Sequence, residues 1–159
     1  KNMKVVIIED EKLSARHLKN LLQNIDNTIE VIKYLDTVKS TIDYFKEYNH
    51  IDLIFLDIHL ADGNSFEIFT IIPINTPIIF TTAFDNYAIQ AFKQNSIDYL
   101  LKPITEKDLQ FKIDQTKELY EIIGAREICE KENEERAKDT FDAFLESNTS
   151  DLDEYLISN

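Results

Sequence analysis

Five short, mostly apolar runs recur along the first 101 residues, and polar residues follow each of them. The runs cover residues 3–8, 29–35, 53–56, 77–81 and 98–101. A continuous apolar run with polar flanks is typical of a strand that is buried on both faces, as in a parallel sheet. Between the runs, apolar residues recur at helical spacing, and a last helix extends to residue 123. This alternation predicts an α/β domain with helices on both faces of a parallel sheet.

Charge divides the chain into two parts. Residues 1–123 carry 13 Lys and Arg against 19 Asp and Glu, a net charge of −6, and residues 124–159 carry 4 against 11, a net charge of −7. We therefore expect one domain over 1–123 and an acidic extension over 124–159 that is helical or partly disordered. The extension is interpreted either as a solvated segment or as one whose Phe141, Phe144 and Leu145 dock on a domain, its own or a neighbour's. The acidic excess disfavours direct contact with nucleic acid.

Cysteine use and hydropathy indicate the compartment. Cys129 is the single cysteine of the chain, so an intramolecular disulfide is impossible. One cysteine and a start without a signal-like pattern favour a reducing cytoplasm. The sequence also lacks an apolar run of the roughly 20 residues that span a bilayer. We expect a cytoplasmic protein that makes no membrane contact.

Carboxylates follow two of the predicted strands. Glu9 and Asp10 come directly after the first run, and Asp57 comes directly after the third. In an open parallel sheet, ligands bind outside the carboxyl ends of the strands, so these groups are expected to converge. Carboxylates that close raise one another's pKa unless a cation lies between them. Their oxygen atoms suit a hard divalent ion such as Mg²⁺.

Two further polar groups are predicted at the same edge. Thr81 and Thr82 close the fourth strand, and Lys102 closes the fifth. A metal ion and an ammonium neutralise phosphoryl oxygens, a hydroxyl donates to one of them, and a carboxylate is able to form an aspartyl phosphate. Each residue alone is more often a helix cap or a solvated charge. Their common position favours phosphoryl transfer.

The motifs that contain these residues resemble those of a known family. The matching segments are Val5-Val6-Ile7-Ile8-Glu9-Asp10-Glu11, Leu53-Ile54-Phe55-Leu56-Asp57-Ile58, Ile79-Phe80-Thr81-Thr82-Ala83 and Ile97-Asp98-Tyr99-Leu100-Leu101-Lys102-Pro103. Over residues 3–123 the chain resembles a two-component response-regulator receiver domain. Residues 81–92 and 97–103 are similar to the LytTR (LytR/AlgR-type) subfamily in particular. The resemblance implies a flavodoxin-like (βα)5 fold, a doubly wound parallel five-stranded sheet of order 2-1-3-4-5, followed here by the acidic extension.

The resemblance also implies roles for individual residues. Asp57 would be the phosphoacceptor, which receives its phosphoryl group from a phosphohistidine of a sensor histidine kinase. The metal ligands would be Glu9, Asp10, Asp57 and the backbone carbonyl of His59, with Mg²⁺ as the ion and Mn²⁺ as an alternative. Thr82 and Lys102 would assist catalysis, Lys102 preceding a proline whose peptide bond is usually cis. Thr82 and Tyr99 would form the conformational switch, although Tyr99 is equally well interpreted as a core residue.

The family pattern further implies an output surface. Phosphorylation would change the face formed by the predicted fourth helix (residues 87–94), fifth strand and fifth helix, through which the protein would form a homodimer. His59 has no zinc-ligand spacing with the other histidines or Cys129, so it is interpreted as a loop side chain. With Phe84 it is expected to limit the access of water to the phosphate and so modulate the dephosphorylation rate.

Two departures from the family and several alternatives remain open. The first acidic position is Glu9 where the family usually has Asp, and the loop after Asp57 lacks the usual proline. An output domain that binds DNA is absent from the sequence, so the chain is either a stand-alone receiver that acts through protein contacts or a receiver without its transcriptional output domain. A flavodoxin-like electron carrier is disfavoured by the acidic first loop. A dehalogenase-type phosphatase is disfavoured by His59, and a receiver-like interaction module without phosphorylation by the joint presence of Asp57, Thr82 and Lys102.

Overall fold

A computed structural model describes residues 2–48, 50–83, 97–123 and 125–147. One parallel sheet contains the strands Met3–Ile8 (β1), Ile29–Leu35 (β2), Leu53–Asp57 (β3), Ile78–Thr82 (β6) and Tyr99–Leu101 (β7), while His59–Leu60 (β4) and Gly63–Asn64 (β5) form a separate hairpin. The order of the strands in the parallel sheet is β2-β1-β3-β6-β7. In order of appearance this is 2-1-3-4-5, so the predicted flavodoxin-like α/β topology is confirmed.

The sheet is buried on both faces, which explains its continuous apolar strands. Side chains of a strand alternate between the two faces. Val6 and Ile8 of β1 join one apolar cluster, whereas Val5 and Ile7 join the other. All five residues of β3 are buried for the same reason. Burial on both faces therefore fixes the register and aligns the carboxyl ends of the strands.

Helices cover both faces. The described helices of the domain are Lys12–Ile25 (α1), Val38–Glu47 (α2), Ile68–Ile71 (α3, preceded by a 3-10 turn over Ser65–Glu67) and Glu106–Ile123 (α4). Thr37 begins α2 with a capping box, because its hydroxyl accepts from the Ser40 N–H while the Ser40 hydroxyl accepts from the Thr37 N–H. The predicted fifth strand and fifth helix correspond to β7 and α4. The predicted fourth helix, residues 87–94, lies outside the described residues.

The loop after Asp57 contains a two-stranded antiparallel hairpin that the sequence pattern did not predict. Its strands are His59–Leu60 (β4) and Gly63–Asn64 (β5). At its tip, the Asp62 carboxylate accepts hydrogen bonds from the backbone N–H groups of Val38 (2.6 Å) and Lys39 (3.1 Å). These are unpaired donors of the first turn of α2, where a negative charge is also favourable. The hairpin is therefore anchored to a neighbouring helix.

The acidic extension contains a long helix, Ala125–Ser147 (α5). Ala137, Thr140 and Phe144 are each 1% exposed, and their spacing places them on one side of the helix. This side packs against the 3-10 turn and α3. The described part of the extension thus docks on its own domain through Phe141 and Phe144, two of the three residues named by the second interpretation. Among the described helices, none combines the length and hydropathy that crossing a membrane requires.

Candidate functional site

Three carboxylates meet at the carboxyl end of the sheet. Asp57 is the last residue of β3, and Glu9 and Asp10 follow β1, the neighbouring strand. One ligand oxygen from each side chain lies within 4.8 Å of the others. Asp57 and Glu9 are 8% and 9% exposed, whereas Asp10 is exposed. The three oxygens are therefore close enough to bind one small cation.

The pKa values at this cluster reflect burial and mutual repulsion. Burial raises the pKa of Glu9, and the neighbouring Asp57 carboxylate raises it further, while Lys102 acts in the opposite direction. Burial and then Glu9 likewise raise the pKa of Asp10. A divalent cation would offset both effects, since opposite charge favours the ionised carboxylates. The donor set, the spacing and the electrostatics all fit the predicted Mg²⁺.

Lys102 neutralises part of this charge. Its ammonium group donates a hydrogen bond to Asp57 Oδ2 at 2.9 Å and another to Glu9 Oε1. Burial tends to lower the pKa of Lys102, but the charges and hydrogen bonds of Asp57 and Glu9 outweigh this effect and raise it. The peptide bond between Lys102 and Pro103 is cis, as the family resemblance implied. Lys102 therefore stays a cation between the two buried carboxylates.

Two threonines end β6 beside Asp57. Thr81 pairs with Asp57 across the strands, and Thr82 follows it one residue further toward the edge. Both side chains are buried. The Thr82 carbonyl accepts the Lys102 N–H at 2.7 Å, which ties the end of β6 to the residue that carries the ammonium. Thr81, Glu9 and Lys102 also line a surface cavity of about 470 Å³. A hydroxyl group therefore lies beside the carboxylate cluster.

His59 lies in the hairpin, two residues after Asp57. Its backbone N–H donates to Asp57 Oδ1 at 3.3 Å. Burial lowers the pKa of its imidazole to about 4; Asp10 raises it and Lys102 lowers it further. The ring is therefore neutral at pH 7, and its centroid lies 6.4 Å from that of Phe144 on α5. This contact was not predicted from the sequence, because a long-range pairing of two aromatic rings has no local pattern.

The two remaining residues named from the family pattern lie away from the carboxylates or outside the described structure. Tyr99 begins β7, pairs with Phe80 of β6 and packs partly against the apolar core. Its half-buried position is compatible with both interpretations given above. Phe84, the second expected modulator of dephosphorylation, lies outside the described residues.

Comparisons with known proteins decide the family. The family model of the response regulator receiver domain matches residues 5–114. The chain belongs to this family. The chain therefore contains a receiver domain, a signalling domain, as its sequence motifs indicated.

Curated relatives support the subfamily that the motifs indicated. The receiver is 41% identical over 108 residues to the sensory transduction protein LytT of Bacillus anthracis, an alignment of 66% of this chain and 43% of that protein. It is 41% identical over 111 residues to the transcriptional regulatory protein LytR of Staphylococcus aureus strain N315, with 68% and 44% covered. The chain thus spans less than half the length of these two relatives.

Solved structures give the same fold. The receiver superposes on a two-component response regulator from Clostridium difficile with a TM-score of 0.60 at 25% identity, covering 74% of this chain and 97% of that one. For the response regulatory domain of mrkE from Klebsiella pneumoniae the TM-score is 0.62 at 27% identity, with 75% and 98% covered. Both neighbours are response regulators by name, in agreement with the family.

Proposed function

We propose that this receiver accepts a phosphoryl group on Asp57 from the phosphohistidine of a sensor histidine kinase. The observation that carries the proposal is the Lys102 ammonium, hydrogen-bonded to both Asp57 and Glu9 while Asp10 completes a cluster of oxygens within 4.8 Å. This arrangement places positive charge beside a nucleophilic carboxylate, where phosphoryl oxygens would arrive. It is a site for charge neutralisation, which phosphoryl transfer principally requires.

The transfer balances without a further reactant. An Asp57 carboxylate oxygen forms a bond to phosphorus while the bond between phosphorus and the donor's imidazole nitrogen breaks. Lys102 stabilises the negative charge on the transferred group, and the Thr82 hydroxyl is proposed to donate to one of its oxygens. The signal ends by hydrolysis of the aspartyl phosphate. Water attacks phosphorus, the bond from phosphorus to Asp57 breaks, and inorganic phosphate leaves. The domain thereby catalyses its own phosphorylation and dephosphorylation.

The proposed phosphorylation requires a divalent cation. Glu9, Asp10, Asp57 and the His59 backbone carbonyl would hold Mg²⁺, or Mn²⁺ in its place. When bound, the ion supplies positive charge to the phosphoryl oxygens. The raised pKa values of Glu9 and Asp10 support the assignment, because burial and then a neighbouring carboxylate raise them, and a bound cation would offset both effects. In the absence of added divalent ion, phosphorylation is expected to fail.

The proposed output is a protein contact. Thr82 and Tyr99 would transmit the phosphorylated state to the face that includes β7 and α4. On this face Leu101 is 41% and Phe111 60% exposed, and both line one surface cavity, which suits a homodimer contact. Residues 1–123 would form the receiver and residues 124–159 its extension. Because a relative is named a transcriptional regulatory protein, we propose transcriptional control through a LytTR output domain outside this chain; a stand-alone receiver is the alternative.

Intact-protein mass spectrometry tests the phosphoacceptor. The purified chain is incubated with acetyl phosphate and MgCl₂, and the expected result is a mass increase of one phosphate. Asp57→Asn should gain none, and chelation of the metal should abolish the gain in the unchanged protein. Asp43→Asn is a matched control, since it makes the same chemical change on the exposed side of α2 and should behave like the unchanged protein. Equal modification of Asp57→Asn would refute the proposal.

A further inference from the structure

The C-terminal helix α5 touches the domain at two aromatic contacts. Phe141 packs on Phe66 with ring centroids 5.6 Å apart, and Phe66 packs on Phe80 of β6 at 5.1 Å. This first contact joins the helix to the apolar core of the sheet. The second contact is between Phe144 and His59, at 6.4 Å and an interplanar angle of 56°. Of these two aromatic contacts, the second reaches the hairpin that follows Asp57.

The second contact leads directly to the proposed phosphoacceptor. Phe144 is 1% exposed and is among the largest fully buried side chains of the described structure. The ring it covers belongs to His59, whose backbone N–H is hydrogen-bonded to Asp57 Oδ1. His59 is also paired with Asn64 in the hairpin, so its backbone is held, and the orientation of its ring depends on the side chains that pack against it, Phe144 among them. Phe144 therefore restricts the motion of a ring at the edge of the site.

The contacts of α5 allow this helix to undock from the domain. Thr140 lies on the docked side and is 1% exposed, yet its hydroxyl finds no hydrogen-bond partner among the described residues. Burying such a group opposes docking, because the hydroxyl loses its water without replacement. Apart from Ala137 and Phe141, the apolar clusters on the two faces of the sheet consist of residues outside α5. Docking of the helix is consequently an equilibrium that modest changes are able to shift.

We propose that Phe144 is a positioning residue that fixes the His59 ring at the edge of the site and thereby lengthens the lifetime of phosphorylated Asp57. The inference rests on the proposed phosphorylation of Asp57. In the hydrolysis that it concerns, a water oxygen bonds to phosphorus, the bond from phosphorus to Asp57 breaks, and the water proton is released to solvent. A fixed ring limits the approach of that water, whereas a mobile ring admits it. The extension would thus set how long the receiver stays phosphorylated.

The lifetime of the phosphoryl group tests this role. The full chain is phosphorylated with acetyl phosphate and MgCl₂, the donor is removed, and the remaining phosphoprotein is followed by intact mass. Phe144→Ala is expected to shorten the half-life about fivefold, a small part of a catalytic barrier. Phe144→Leu, which retains most of the apolar volume, should restore it largely. The dissociation constant for Mg²⁺, measured by titration calorimetry, should stay within about twofold of the unchanged value, because the backbone of His59 is held by the hairpin.

Two comparisons separate positioning from a general loss of structure. Phe141→Ala removes the same atoms from the same helix without removing the ring that contacts His59. It therefore measures how far weaker docking alone shortens the half-life of the phosphoryl group, and its effect should be smaller than that of Phe144→Ala. In a double-mutant cycle, Phe144→Ala should have no further effect once His59→Ala is present, since the two residues act as one unit. An unchanged half-life in Phe144→Ala, an equal effect of Phe141→Ala, or additive effects in the cycle would overturn the inference. Failure of the unchanged protein to take up phosphate would instead refute the proposed function, and this inference with it.

Discussion

Replacing Lys102 by methionine removes the cation between two buried carboxylates. In the native site, the side chains of Lys102, Glu9 and Asp57 are 18%, 6% and 12% exposed, so solvent screens their charges poorly. Methionine retains most of the apolar stem and removes only the ammonium group. The stability of the variant therefore reports the free-energy cost of burying two carboxylates that repel each other without a compensating cation.

The size of the effect follows from the distance between the carboxylates and from their protonation. One oxygen of Glu9 and one of Asp57 lie within 4.8 Å of each other, and two negative charges at that limiting distance repel by about 3.5 kcal/mol at an effective dielectric constant of about 20. Protonation of Glu9 removes this repulsion. It costs roughly 1.4 kcal/mol for each unit by which the pH exceeds the ordinary pKa of Glu9. With an ordinary value of 4.5, that cost is about 5 kcal/mol at pH 8 but under about 1 kcal/mol at pH 5. We therefore expect a loss of about 3 kcal/mol at pH 8 and under about 1 kcal/mol at pH 5.

The sign of the pH dependence agrees with linkage. Without Lys102, the pKa of Glu9 in the folded state lies still further above its unfolded value, so the folded state binds more protons than the unfolded one. Stability then rises as pH falls through the folded pKa toward the unfolded one. Lys102 itself stays protonated over this range, because its pKa is raised above the ordinary value of 10.5, so the expected pH dependence comes from Glu9.

Urea unfolding at both pH values, with the metal chelated, measures the effect. Lys39→Met is the matched control, since Lys39 and Asp43 are 84% and 61% exposed and such a pair contributes at most about 1 kcal/mol. Millimolar Mg²⁺ should restore more stability to Lys102→Met than to the unchanged protein, because the ion supplies the missing charge. A loss at pH 8 no larger than that of the control, or one that is equal at both pH values, would refute this account of the site.

Three further predictions concern other parts of the molecule. Asp62→Ala should lower the free energy of unfolding by about 1 kcal/mol, because α2 loses the carboxylate that accepts from its first N–H groups; unfolding in urea measures this, and an unchanged midpoint would contradict it. Phe111→Asp should prevent dimerisation of the phosphorylated chain in light scattering without changing phosphate uptake, whereas a dimer that persists would place the contact elsewhere. His59→Ala should change the half-life of the phosphoryl group but not Mg²⁺ affinity, and an unaltered half-life would remove this residue from the account.

The strands were predictable because they are buried on both faces. The bounds of β1 and β2 agree with the apolar runs, and the predicted third strand differs from β3 only by the inclusion of Asp57. The convergence of Glu9, Asp57 and Lys102 was likewise expected, because carboxyl ends of parallel strands share one edge. What the sequence could not specify is that the Lys102 ammonium contacts both buried carboxylates, since this depends on side-chain conformation in the folded site.

The hairpin and the docked helix had no comparable local pattern. β4 and β5 are two residues each, too short for a periodic pattern, and Asp62 anchors the hairpin through a helix that lies more than twenty residues earlier in the chain. In α5, Ala137, Thr140 and Phe144 follow helical spacing, but many charged residues surround them. Whether such a face docks depends on a complementary surface, here the 3-10 turn and α3, which exists only in the folded domain.

The central claim is that the phosphoryl group is bonded to the side-chain carboxylate of Asp57. Borohydride converts an aspartyl phosphate to homoserine, so reduction of the acetyl-phosphate-treated protein followed by peptide sequencing identifies the modified position. The account predicts homoserine at Asp57 in the presence of Mg²⁺ and none when the metal is chelated. Homoserine at another aspartate such as Asp10, or its formation without divalent ion, would contradict the account.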